Sequence, residues 1–282
     1  SGVQFRDFET EFFEPLEDLV AVQNNRISGD YEYHARHAHV GEIVFTQVCR
    51  TDEERYEQIV RVLTALDRSF TSDGIALSGL LRGRNMAETF EDPALARDIY
   101  VLAWQRNPQA AFIGQQRAIF ETSHSRGNLD AAQDAIDAAL RIEPENGTLH
   151  HTRAQVLQRR AQQAPSEFAK TALRSQARTA LSNVPNQYDA YVLGARARIR
   201  VDEVADAVRR LEAAPSEGRQ DELAAAVDEA ERAIARALNH HPSDPELLQA
   251  EARLREELGD TDEAMQLLQK AWEKMPRGSG VA

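Results

Sequence analysis

Apolar residues in this chain recur at a spacing that only helices can use. Five prolines, Pro108, Pro144, Pro185, Pro242 and Pro276, each follow an alanine-rich run. Five residues before each proline stands an alanine: Ala103, Ala139, Ala180, Ala237 and Ala271. Eight before stand Tyr100, Ile136, Ala177, Ile234 and Leu268, and twelve before stand Ala96, Ala132, Leu173, Ala230 and Ala264. Offsets of three and four put all of these on one helical face. Small residues there let two antiparallel helices approach closely, the larger one fills the seam, and the proline stops the helix.

The pattern predicts helical hairpins over residues 110–142, 147–181, 187–240 and 244–275. Gly127 and Gly259, each 17 residues before its proline, suit a left-handed exit from a first helix, and Asn128 and Asp260 suit the N-cap of the second. Successive prolines are 36, 41, 57 and 34 residues apart, so the middle hairpins carry longer helices or loops, and residues 213–220 read as an inserted loop. Upstream, Ile59, Val60, Val62, Leu63 and Leu66 predict a helix over 52–70. A shorter helix is expected over 75–81, and 92–105 reads as the second half of a degenerate repeat.

These residues resemble the tetratricopeptide repeat (TPR), a 34-residue helix–turn–helix. The last unit fits best, with Leu248, Ala252, Gly259, Ala264, Leu268 and Ala271 at family positions. A generic helical bundle is the competing reading. The resemblance implies an all-α fold, a right-handed α-solenoid of TPR-like hairpins over 109–282, behind a helical connector over 51–108.

The first fifty residues break the pattern. Residues 8–19 read as an amphipathic helix. The turn cluster Asn24-Asn25-Arg26-Ile27-Ser28-Gly29-Asp30 separates two short segments, 19–23 and 31–35, suited to a β-hairpin, and a further helix is expected over 37–48. Helix, β-ribbon, helix is the order of the end of a winged-helix module, so 1–50 reads as a small winged-helix-like remnant. Residues 31–45 (YEYHARHAHVGEIVF), with the words Leu80-Leu81-Arg82-Gly83-Arg84-Asn85, Gln115-Gln116-Arg117-Ala118-Ile119-Phe120 and His150-His151-Thr152-Arg153-Ala154, resemble the C-terminal part of bacterial STAND-type NTPases. Those proteins couple a P-loop NTPase and a winged helix to tetratricopeptide repeats, and many act in antiviral defence. The resemblance implies a cytoplasmic sensor region that binds a protein or peptide ligand, with the NTPase domain upstream in the same polypeptide. It also makes His37 the match to a winged-helix histidine that contacts nucleotide diphosphate. No Gly-x-x-x-x-Gly-Lys-Ser/Thr occurs here, so no nucleotide or other cofactor is expected to bind this region by itself. The chain begins Ser-Gly and not Met, which suits an excised piece of something longer.

Charge sharpens the picture. The chain carries −13 overall, against indiscriminate binding to nucleic acid or anionic lipid. Residues 146–200 nonetheless hold nine Lys or Arg against Glu167 and Asp189, a balance of +7 beside −20 elsewhere. Arg117, His150, Arg153, Arg159, Tyr188, Tyr191 and Arg198 are the candidate lining of a partly basic concave groove, Arg and Tyr being the types favoured at binding hot spots. Two alternatives stand open: the stretch binds a partner, with nucleic acid as the second candidate ligand, or it neutralises the flanking acidic hairpins. No run approaches the roughly 18 apolar residues of a membrane span, and no membrane partner is expected. His34, His37 and His39 cluster, but a structural role outranks a metal site because cysteine and acidic partners at ligand spacing are lacking apart from Glu42. The single cysteine, Cys49, reads as a buried inert thiol, and no nucleophile turn or carboxylate pair marks a catalytic site.

Overall fold

The computed structural model describes Val20–Asn24, Tyr31–Ala35, Phe45, residues 47–67 and residues 71–275. The chain divides into two compact units, one of Ser1–Pro108 with Ser123–Arg126 and the other of Gln109–Thr122 with Gly127–Ala282.

The described part of the first unit begins with β1 (Val20–Asn24) and β2 (Tyr31–Ala35), antiparallel with Val20 opposite Ala35 and Asn24 opposite Tyr31. The helix expected over 8–19, and His37 with most of the helix expected over 37–48, lie outside the described residues. Helix α1 (Asp52–Ala65) starts in a capping box: Thr51 accepts from the Glu54 amide while the Glu54 carboxylate accepts from the Thr51 amide. It ends at Ala65 and not at residue 70, because Leu66 turns to an extended conformation. Helix α2 (Thr71–Leu80) begins one turn earlier than its apolar pattern suggests. The short helix α3 (Gly83–Thr89) has no counterpart in the sequence reading, and α4 (Pro93–Arg106) starts at a capping Asp92. Asp52 ties the unit together, accepting from the Glu91 and Asp92 amides at 2.8 and 2.7 Å and pairing with Arg55, which donates to the Thr89 carbonyl. Tyr100, buried, donates its hydroxyl to the Leu81 carbonyl. Cys49 is buried.

The second unit is a stack of four helical hairpins. They are α5 (Ala111–Ser123) with α6 (Leu129–Ile142), α7 (Gly147–Gln163) with α8 (Glu167–Ser182), α9 (Ala190–Ala213) with α10 (Glu217–His240), and α11 (Pro245–Glu257) with α12 (Thr261–Lys274). The alanines five before each proline are 0–2 % exposed, in α4 as in the four hairpins. Each apolar core is shared between a hairpin and the first helix of the next. One joins Ala118, Ala132, Ile136 and Ala139 to Leu149 and Val156 of α7. The following one joins Leu157, Ala177 and Ala180 to Val192, Ala195 and Ile199 of α9, and a third joins Val201, Val204, Ala230 and Ile234 to Ala250 and Leu254 of α11. This neighbour-to-neighbour sharing is the packing of an α-solenoid.

Side-chain caps start most of these helices: Asn128, Asn146, Ser166, Asp189, Ser216 and Asp244 each accept from a first-turn amide. The two glycine turns differ from each other. Gly259 is left-handed at φ 87°, whereas Gly127 is not, and Asn128 caps its helix while Asp260 makes no side-chain cap. At Gly147 the requirement is room, since a Cβ would sit 2.9 Å from the Pro185 ring. The expected inserted loop at 213–220 is absent. Its residues belong to α9 and α10, each 24 residues long, and only 214–216 connect them. Leu268 also departs from its pattern, 48 % exposed on α12, the last described helix.

Because each hairpin packs mainly on its neighbours, deleting residues 244–282 should expose Leu193, Val201 and Val204 and lower the melting temperature. The remaining hairpins should still melt cooperatively with their helical circular-dichroism signal. A complete loss of helicity would contradict stacking of this kind.

Candidate functional site

The basic stretch lies on α7, α8 and the first half of α9, and most of its charge is met from within the unit. Arg153 pairs with Asp137 at 3.0 Å and Arg160 with Asp130 at 2.8 Å, both acids of the preceding hairpin. Arg178 pairs with Glu203 and Arg200 with Glu203 and Glu229, while Arg198 reaches forward to Glu246 at 2.9 Å. Arg174 and Lys170 pair with Asp206 at 2.6 and 3.3 Å. Among the described residues of the stretch, only Arg159 and Arg196 lack a carboxylate, each bonding a glutamine oxygen instead.

Two acids at the middle of α9 are the deepest part of this network. Asp202 and Asp206 are 3 % and 2 % exposed and lie one turn apart. Asp202 accepts from the side-chain amides of Gln158 and Gln162 at 2.9 and 3.1 Å and pairs with Arg253 of α11 at 2.8 Å. Asp206 takes Arg174, Lys170 and Arg209, and Arg174 also donates to the Asp202 carbonyl. Burial alone would raise the Asp206 pKa. Hydrogen bonds from Arg209 and Arg174, with the charges of Arg174 and Lys170, outweigh it and hold the carboxyl below its ordinary value.

The seven candidate groove residues do not form one surface. His150 is buried and bonds the Pro144 carbonyl at 2.7 Å, so it closes a turn. Arg117 is half-buried on α5 with its Nε unbonded, Arg153 is held by Asp137, and Arg159 is exposed on α7. Tyr188 precedes α9, Tyr191 lies in its first turn, and Arg198 follows two turns later on the same side as Tyr191. Tyr188 and Tyr191 are 61 % and 62 % exposed. Tyr191 sits 6.0 Å, centroid to centroid, from the His151 ring, and Tyr188 4.7 Å from His240. The Tyr188 carbonyl bonds the His241 ring at 2.7 Å, which fixes the loop. Burial, then the Arg198 charge, lowers the His151 pKa below its ordinary 6.5, against a hydrogen bond with the Tyr191 backbone and the charges of Glu246 and Asp189. His151 is therefore neutral at physiological pH. Sequence reasoning missed His151, His240 and His241; three histidines flanking the two tyrosines in a fold that stacks α7, α9 and α10 were the available signal.

No group of three metal-ligating side chains occurs among the described residues, and none of their helices is long and apolar enough to cross a membrane. No family model matches the chain, and no curated protein matches it. Among solved structures it is similar to a thermophilic TPR protein of Thermus thermophilus, at 19 % identity and a TM-score of 0.49 over 73 % of this chain and 89 % of that one.

Asp206→Ala should lower the unfolding free energy by roughly 3 kcal/mol, because it strands buried cations, whereas Arg159→Ala should leave it within about 0.5 kcal/mol. The Asp206 pKa is depressed on folding, so its stabilisation is complete above the ordinary value of 3.8 and is lost as pH falls below that. Urea titrations of wild type and Asp206→Ala should accordingly converge in the acid range and stay apart at neutral pH.

Proposed function

We propose that this chain is a non-catalytic, protein-binding region whose contact surface is the Tyr188–Tyr191–Arg198 patch at the start of α9. The observation that carries this reading is the exposure of two tyrosines, 61 % and 62 %, on backbone that is itself fixed by capping and by His241. Tyr with Arg offers large contact area at a small cost in side-chain entropy. A rigid stack of hairpins adds preorganisation, which limits the ordering cost of binding. Glu246 and Asp189 near the patch favour a ligand of mixed polarity over a purely acidic one.

The finer reading, from the resemblance to STAND-type NTPases, makes the chain the cytoplasmic sensor region of a larger bacterial signalling or defence ATPase. Ligand binding would then relieve a restraint that includes the winged-helix-like segment and His37. A Walker motif upstream in the encoding reading frame would support that parentage, and a frame without one would sink it.

Immobilised wild-type chain and the Tyr188→Ala/Tyr191→Ala double variant, incubated with extract of the source cells, should differ in at least one retained protein, with equal melting temperatures. Identical captured sets would refute the patch. The nucleic-acid alternative loses its main support, because seven of the nine basic residues of 146–200 are paired with carboxylates. Fluorescence anisotropy should show no binding of long single- or double-stranded RNA or DNA at low salt; tight binding that collapses as salt rises would restore it.

A further inference from the structure

The other side of α9 carries a feature that the groove does not use. Two positions along a helix turn the side chain by about 200°, so Arg196 and Arg200 point away from Arg198. There a cleft of about 440 Å³ opens between α8, α9 and α10. Arg178, Arg196, Arg200, Arg232 and Arg236 line it, with Glu229 the one carboxylate among its lining residues and no aromatic side chain.

The local charges do not balance. Glu203 serves Arg178 and Arg200 together, Glu229 serves Arg200 again, and Asp228 holds Arg232 at 2.5 Å. Three carboxylates thus answer five guanidiniums. The two left over are Arg196, whose side chain bonds only the neutral Gln187, and Arg236, which has no hydrogen-bond or ion-pair partner among the described residues. They repel one another: burial first, and then the Arg236 charge, push Arg196 below the ordinary arginine value. Half-buried Arg196 and exposed Arg236 thus face one cleft as two like charges with no carboxylate for either, an unmet demand for an anion.

We infer that this cleft binds a compact phosphate-bearing polyanion, clamped between Arg196 and Arg236 and lined by Arg178, Arg200 and Arg232. A guanidinium presents parallel N–H donors that match two oxygens of a phosphate, and the surplus of two positive charges matches a dianionic group. The volume lies at the low end of small-ligand sites. Without an aromatic platform the cleft has nothing to stack a nucleobase on, so the recognised unit is the phosphate chain itself. Ser182 also lines the cleft, its hydroxyl donating to the Arg178 carbonyl at 3.0 Å.

Isothermal titration of the full chain at low salt with orthophosphate, pyrophosphate, tripolyphosphate, ATP and citrate tests this. Pyrophosphate and tripolyphosphate should bind and raise the melting temperature. Arg236→Ala should weaken pyrophosphate by about tenfold or more. Arg236→Glu should abolish binding, because the new carboxylate pairs with Arg196, and should melt no lower than wild type. If Arg236→Glu proves unstable, Arg236→Ala, which removes an exposed and unpartnered side chain, carries the comparison. Arg159→Ala, outside the cleft, should bind as wild type does. ATP should bind no tighter than tripolyphosphate. Absence of phosphate binding, an undiminished affinity in the Arg236 variants, or equal binding of citrate would overturn the site, and a clear preference for ATP would overturn its restriction to the phosphate chain. None of these outcomes depends on the tyrosine patch.

Discussion

Two carboxylates buried one turn apart in a helix cannot stay charged unless cations are brought to them, and that demand organises the second unit. Asp202 and Asp206 draw Gln158 and Gln162 from α7, Lys170 and Arg174 from α8, and Arg253 from α11, so the hairpins before and after its own are both bound to the middle of α9. The alanine seams set how closely the helices approach, but an apolar seam resists sliding only weakly, since one small residue replaces another at little cost. Directional bonds to a fixed carboxylate do resist it. The apolar cores therefore supply most of the stability and the aspartates supply register, a division consistent with how little net stability buried ion pairs confer.

This demand also explains the charge asymmetry of the sequence. The excess of Lys and Arg over 146–200 is a set of counter-ions placed between acidic neighbours, with partners that come from the hairpin before (Asp130, Asp137) and the hairpins after (Glu203, Asp206, Glu229, Glu246). Exposed pairs of this kind contribute little each. Their arrangement matters more than their strength, because it removes positive charge from most of the surface and leaves a surplus in one cleft.

The repeat was legible because helix–helix seams impose a spacing that survives sequence drift. The alanines before Pro108, Pro144, Pro185, Pro242 and Pro276 are as buried as their pattern requires. Three things were not legible. Residues 213–220 look like a loop because Pro215 and Gly218 interrupt an apolar pattern, yet Pro215 falls between two helices and Gly218 in the first turn of α10, where a Cβ would meet nothing within 4 Å. Asp202 and Asp206 were invisible as core residues, since a local pattern assigns charge to solvent and only the tertiary arrangement supplies Arg174 and Arg253. Among the groove candidates, His150 was misplaced for the same reason: whether a polar residue on a helix meets solvent depends on a turn, here at Pro144, that composition does not reveal.

Length is the remaining clue to where function sits. The helices α9 and α10 are 24 residues each against 13 to 17 in the other hairpins, and a stack needs no such length for its seams. Along α9 the first turns carry Tyr191 and Arg198 on one side and Arg196 and Arg200 on the other, while the centre is pinned through Asp202 and Asp206. A ligand on either side thus meets the same rigid rod, one that cannot rotate or slide without breaking bonds to the two neighbouring hairpins. Occupying the arginine cleft would relieve the repulsion between Arg196 and Arg236 and so stabilise the segment that presents the tyrosines. Coupling between two such faces needs no change of shape, only that each ligand stiffen an element the other also uses.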